Sequence, residues 1–198
     1  MHTIEYYSTL GCRCKPGMCS CGAVALLLAA VPGMCYTVAV SEIVVSPQWE
    51  RLPVEEVRGT VVIIGASDTG KSTLAQYLFQ RFARLGLWAA VLDADVGQST
   101  LGLPTTLNLA LGSEPGDDRF PPPGSRLTYF VGDITPRGHM LPMLVGSHAL
   151  QQKGLAFGAE VIVVDTTGLV DRSQGGKALK QWKTELLDPG LVIGRQRN

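Results

Sequence analysis

Thr60-Val61-Val62-Ile63-Ile64-Gly65-Ala66-Ser67-Asp68-Thr69-Gly70-Lys71-Ser72-Thr73 is the stretch that decides the fold. Its first five residues form an unbroken apolar and β-branched run, the pattern of a strand buried on both faces of a parallel sheet. Gly65 to Ser72 then fits G-x4-G-K-[ST] without deviation. Leu74, Leu78, Phe82 and Leu85 follow on one helical stripe, and Gly86 closes a helix expected from about Lys71 to Leu85. Strand, glycine-rich turn and amphipathic helix, in that order, are the setting in which this motif binds phosphate. Gly65, Ala66, Ser67, Asp68, Thr69 and Gly70 would wrap a β-phosphate with backbone N–H groups, and Thr73 completes the phosphate-binding set. The helix dipole adds to that attraction. Lys71 would set its ammonium on the β and γ oxygens, and Ser72 would offer a hydroxyl to Mg²⁺. The expected ligands are therefore ATP and Mg²⁺.

Outward from this loop, strands and helices alternate. Trp88 to Leu92, Leu127 to Val131, Val161 to Val164 and Leu191 to Ile193 read as further strands. Leu141 to Phe157 reads as a helix broken near Gly146 or Gly154, and Gly175 to Leu187 as a second helix stopped by Asp188-Pro189. Ser46-Pro47 caps and opens a short helix, and Gly112 to Arg126 is a loop by composition. The fold class is α/β, a P-loop NTPase with a largely parallel sheet and helices on both faces.

Two apolar strands end in aspartate, in Val91-Leu92-Asp93-Ala94-Asp95 and Val163-Val164-Asp165-Thr166-Thr167-Gly168. A P-loop site needs one carboxylate beside its metal, and phosphorylation of a hydroxyl needs a second to take the proton. Asp95 is assigned as the base and Asp165, with Ser72, as the metal-side group. Only one of Asp93 and Asp95 is expected to enter the site; Asp93 caps a loop in the competing reading.

The formal charge is +0 with 17 basic and 17 acidic residues. This chain lacks the basic excess of proteins that hold nucleic acid by bulk electrostatics, so any polynucleotide is expected to be gripped locally or by parts outside this chain. All five cysteines lie between Cys12 and Cys35, an odd number that argues against a disulfide scaffold and for a reducing, cytoplasmic compartment. Their C-x-C pairs are tighter than the spacing of roughly two to four residues usual at zinc. Gly22 to Val40 is uncharged and apolar, but Pro32-Gly33 interrupts it, which disfavours a membrane span. Tyr36 to Val45 is an alternative small β element, and Met34 an alternative start. Residues 1–45 are expected to form an extension of uncertain structure, and 46–198 the P-loop domain.

Together, GASDTGKST, LDADVGQSTLGLPTT, YFVGDITPRGHMLPMLVG, VVDTTGLV and GGKALKQWKTELLDP resemble the polynucleotide 5′-hydroxyl kinases. That family includes the RNA kinase subunit of pre-mRNA cleavage machinery, ribosomal-RNA-processing relatives and prokaryotic homologues. The resemblance spans about Trp49 to Arg197 and implies transfer of the γ-phosphate of ATP to the 5′-hydroxyl of RNA or DNA. It implies Lys71 and Ser72 as phosphate and metal contacts, Asp95 as the base, Gln98 as a group holding the reactants, and Thr167 and Gly168 as a clasp over the triphosphate. Leu169 stands where eukaryotic members often carry tryptophan. The family's arginine-bearing lid lies beyond the last strand, where this chain ends; Arg195 and Arg197 are its only candidates, so the domain is expected to be incomplete at its C-terminus.

Two other readings stay open. One is a catalytically weak ATP-binding module that docks a protein partner. The other is a GTPase-like switch, suggested by Asp165-Thr166-Thr167-Gly168 and opposed by the lack of an N-K-x-D segment. Arg137 is a further candidate phosphate contact.

Overall fold

The buried run before the glycine turn becomes β1 (Gly59–Gly65), and the helix after it α2 (Lys71–Arg84). The computed structural model describes Ile43 and residues 45–196. The cysteine cluster, the apolar run Gly22 to Val40, most of Tyr36 to Val45, and Arg197 lie outside the described residues. Ser46 caps the short α1 (Pro47–Glu50), its hydroxyl accepting the Gln48 N–H at 3.4 Å. The remaining elements are β2 (Ala89–Ala94), β3 (Thr106–Leu111), β4 (Arg126–Phe130), α3 (Met140–Ala156), β5 (Val161–Thr166), α4 (Gly176–Leu187) and β6 (Leu191–Arg195).

These strands form one six-stranded sheet in the order β4-β3-β2-β5-β1-β6. β2, β5, β1 and β6 run parallel, with Asp93 opposite Asp165 and Ile63 opposite Asp165 across the two central pairings. β3 and β4 extend the sheet antiparallel. α2 packs on β5, β2 and β1, whereas α3 packs with α4 and on β3, β2 and β4. Strand alternation divides the core accordingly. Val62, Leu92, Ile162 and Val164 join Met143, Leu150, Leu179 and Leu187 in one buried cluster. Leu74, Leu78, Phe79 and Phe82 are the buried stripe of α2. Among the described residues no helix is long and apolar enough to cross a membrane.

Three sequence expectations need correction. β3 was not expected, although Leu107, Leu109 and Leu111 alternate with Thr106, Asn108 and Ala110; that period of two is the signal of an antiparallel strand. β2, β5 and β6 extend past their expected ends, to Ala94, Thr166 and Arg195, because ladder pairing with neighbours carries polar residues along.

The third correction concerns α3, which runs through both glycines unbroken. Neither glycine ends the helix; both permit close packing. A Cβ on Gly146 would lie 2.4 Å from Tyr129 Cδ1, and one on Gly154 2.9 Å from Ile162 Cδ1. Helix propensity would favour alanine at an interior glycine by about 1 kcal/mol. The aromatic ring at Gly146 cannot yield as a flexible chain end would, so the clash dominates. Gly146→Ala is expected to lower stability by on the order of 1–2 kcal/mol net, read as a lower melting temperature.

Candidate active site

Phosphate-binding loops need backbone N–H groups converging on one point, which requires left-handed backbone at selected residues. Asp68 (φ 58°) and Gly70 (φ 78°) adopt it here. Aspartate tolerates that region better than most side chains. The Ala66 carbonyl is turned into the loop, where it accepts from Thr69 Oγ1 at 2.9 Å and Lys71 Nζ at 2.8 Å. Lys71 is buried, while Ser67, Asp68, Gly70, Ser72 and Thr73 are exposed around the mouth of the loop. A Cβ on Gly65 would meet the Arg195 carbonyl at 2.7 Å, so the loop's first residue has no room for a side chain. Arg195 Nε donates to the Thr69 carbonyl at 3.1 Å, and its guanidinium stands 5.3 Å from the Trp49 ring centroid. Arg195 thus braces the outer wall of the loop from β6.

The carboxyl ends of β2 and β5 meet this loop from the side. Asp95 follows the last residue of β2, and its Oδ1 accepts the N–H groups of Gly97 and Gln98 at 3.1 and 3.2 Å. That turn fixes the carboxylate without using Oδ2. Asp95, Gln98 and Arg137 line a cleft of about 290 Å³ together with Ser67, Thr167 and Gly168. The P-loop, the turn after β2, the segment before α3 and the turn after β5 therefore share one concavity. A second cleft of about 640 Å³ adjoins Gly65 and Ala66 and is bordered by Gln48, Arg195 and Gln196. Its size suits a nucleoside.

Residues 65–198 match the family model described as the mRNA cleavage and polyadenylation factor CLP1 P-loop. The chain belongs to the CLP1 P-loop family. It is 34% identical over 160 residues to a polyribonucleotide 5′-hydroxyl-kinase of Pyrococcus abyssi, an alignment covering 77% of this chain and 43% of that protein. A polyribonucleotide 5′-hydroxyl-kinase of Pyrococcus furiosus is 36% identical over 140 residues, covering 69% and 38%. The chain thus spans about two fifths of the length of these curated relatives. A solved structure of a wild-type Clp1p–Pcf11p complex contains a chain that matches with a TM-score of 0.58 at 15% identity, over 73% of this chain and 39% of that one. At that identity the likeness shows the shared fold.

Within this CLP1-type domain the two aspartates of Asp-x-Asp part company through burial. Alternation puts residues two apart on the same side of a strand, so strand geometry alone does not separate them. Asp93 is buried, and its Oδ2 accepts Ser99 Oγ and the N–H groups of Thr100 and Leu101 at 2.8, 2.6 and 3.0 Å. It organises the Ser99–Leu101 turn, whereas Asp95 opens on the cleft.

Asp165, at the end of β5, is buried beside the Ser72 hydroxyl, and its Oδ1 lacks a hydrogen-bond partner. Burial pushes this carboxyl up to about 6; the Ser72 hydrogen bond and the Lys71 charge oppose that, while Asp93 and Asp95 add to it. A hard divalent cation beside a hydroxyl and an orphaned carboxylate oxygen suits this donor set. Among the described residues no three His, Cys, Asp or Glu side chains converge as a metal cage. An ion here would draw its remaining ligands from water and phosphate.

The raised Asp165 value has a measurable consequence. Between its ordinary value of 3.8 and about 6, the folded protein holds this proton more tightly than the unfolded chain. Stability from the protonated group is thus fully present below about 4 and is lost as pH rises through about 6. Denaturant melts of the ligand-free protein are expected to show that decline, and Asp165→Asn to flatten it.

Two residues carried no role in the sequence reading. Lys180 and Lys183 of α4 are both buried, on the stripe shared by Gly176, Leu179 and Leu187. Lysines at positions where helical periodicity demands apolar residues were the available signal. Burial first, then the Lys183 and Lys71 charges, pulls Lys180 down to about 6, with Asp95 and Asp165 opposing. Burial pulls Lys183 to about 8 against the attraction of Asp95, Asp165 and Asp93.

Proposed function

We propose that residues 46–198 form the nucleotide-binding and acceptor-activating domain of an ATP-dependent polynucleotide 5′-hydroxyl kinase, acting in the cytoplasm. One observation carries the reading: Asp95, a carboxylate anchored through a single oxygen, lines the same cleft as the phosphate loop and the turn after β5. A cleft with only phosphate contacts would suit a binding module; a half-anchored carboxylate facing it suits proton removal from an acceptor. The names of the archaeal relatives support a 5′-hydroxyl acceptor and favour RNA over DNA.

In this mechanism the β- and γ-phosphates of ATP sit on the N–H groups of Gly65 to Ser72, and Lys71 exchanges the Ala66 carbonyl for phosphate oxygens. Ser72 and Asp165 would hold a divalent ion, Mg²⁺, which supplies further neutralisation of phosphate charge. The acceptor's 5′-hydroxyl enters beside Asp95 and Gln98. Asp95 accepts its proton as O5′ forms its bond to the γ-phosphorus and the bond to the β,γ-bridging oxygen breaks, leaving ADP. Thr167 and Gly168 close the phosphate site from β5, and Arg137 is placed to meet a backbone phosphate of the acceptor. Neutral overall charge is compatible with this, because recognition rests on a few local contacts.

The test is label transfer. Purified protein, γ-labelled ATP and Mg²⁺ are incubated with one oligonucleotide bearing a 5′-hydroxyl and a matched one bearing a 5′-phosphate. Label is expected on the first alone. Nucleotide binding without label on either would sink the kinase reading, and a preference for GTP would redirect it to a switch.

A further inference from the structure

Lys180 is a buried amine placed just behind the phosphate site. Its Nζ donates to Thr166 Oγ1 at 2.9 Å, to the Thr167 carbonyl, and to Thr167 Oγ1 at 3.3 Å. Three oxygens of the β5 end therefore lie within hydrogen-bond reach of the one nitrogen. Thr166 Oγ1 in turn donates to the Ile63 carbonyl at 2.6 Å. One chain of hydrogen bonds thus links α4, the end of β5, and β1 two residues ahead of the P-loop.

The turn that Lys180 grips is pressed directly on that loop. A Cβ on Gly168 would lie 2.1 Å from Ser67 Oγ and 2.6 Å from the Ser67 nitrogen. Any rotation of the Thr166–Gly168 backbone therefore either collides with Ser67 or withdraws from it. The Thr167 carbonyl is the group whose direction sets that rotation, and Lys180 is its buried donor. Lys183, one helical turn along, is likewise buried but its Nζ has no hydrogen-bond partner. The two lysines thus share burial and differ in their grip on the turn.

We infer that Lys180 is a positioning residue for the phosphate site, locking the Thr166–Gly168 turn against Ser67 so that the P-loop is preorganised for nucleotide. This rests on the P-loop binding nucleotide and not on the kinase step, so its test reads ATP affinity directly and stands even where label transfer fails. Lys180→Met keeps the length and burial of the side chain and removes its donors. Calorimetric titration of the full chain with ATP and Mg²⁺ is expected to show affinity weakened by about tenfold, the scale of losing one or two buried hydrogen bonds. Lys183→Met removes a comparably buried amine and is expected to change ATP affinity by less than a factor of about two. Where label transfer is measurable, Lys180→Met should raise the KM for ATP and leave that for the oligonucleotide unchanged; a general loss of structure would move both.

Unchanged ATP affinity in Lys180→Met would overturn the inference, as would an equal loss in Lys183→Met, which would assign the effect to buried amines of α4 in general. Should Lys180→Met fail to fold, Thr166→Val breaks the same chain of hydrogen bonds with an isosteric side chain. It is expected to weaken ATP binding several-fold, and parental affinity in that variant would also reject the idea.

Discussion

Asp95→Asn is expected to slow phosphoryl transfer to a 5′-hydroxyl end by about 10²- to 10⁴-fold, the range that general-base catalysis supplies. The substitution is a narrow one. Asparagine keeps an oxygen where Oδ1 accepts the Gly97 and Gln98 N–H groups, so the turn after β2 survives. It removes only the capacity to take a proton. ATP affinity should therefore stay within a factor of about two, because the loss falls on the transition state and not on ground-state binding. Single-turnover label transfer measured beside ATP titration separates the two. A variant that labels the oligonucleotide as fast as the parent would remove Asp95 from the mechanism and return attention to Asp165. Asp93→Asn makes the informative contrast: Asp93 is buried under four donors from the Ser99–Leu101 turn, so its replacement should disturb folding before chemistry.

Lys71→Met is the second large effect, with kcat/KM expected to fall by about 10²- to 10³-fold, comparable to removing one preorganised charge from a phosphoryl or oxyanion site. The local structure indicates that this loss is functional. In the ligand-free protein Lys71 Nζ donates to the Ala66 carbonyl, but that carbonyl also accepts from Thr69 Oγ1. Removing the ammonium therefore leaves no orphaned acceptor, and a methionine side chain can occupy the same buried channel. Thermal stability without nucleotide should be close to that of the parent, while the stabilisation conferred by ATP should largely vanish. A variant that melts many degrees lower without ligand would show that Lys71 holds the loop together and would weaken the assignment of its charge to phosphate.

Arg195 shows how a residue can change meaning once the chain is folded. As one of two arginines near the end of the sequence it reads as the start of a lid. In the structure it belongs to β6, with its guanidinium engaged by the Thr69 carbonyl and the Trp49 ring. It supports the loop from outside and is already committed to protein partners. Trp49 is itself buried and packs against Tyr77 of α2, with ring centroids 5.6 Å apart and planes tilted by 42°.

The linear chain by itself determined the phosphate loop, the strand and helix on either side of it, and the aspartates that end two buried strands. These are local features: a glycine-rich turn, a β-branched run and a 3.6-residue stripe each declare themselves within about twenty residues. Tertiary structure alone decided what depends on contacts between distant segments. It set β5 between β1 and β2, separated Asp93 from Asp95 by burying one under its own turn, made Gly146 and Gly154 packing surfaces instead of helix breaks, and hid Lys180 behind the Thr166–Gly168 turn. In each case the deciding quantity is which atoms lie within a few ångströms across the fold, and hydrophobic periodicity says only which side of an element is covered, never by what.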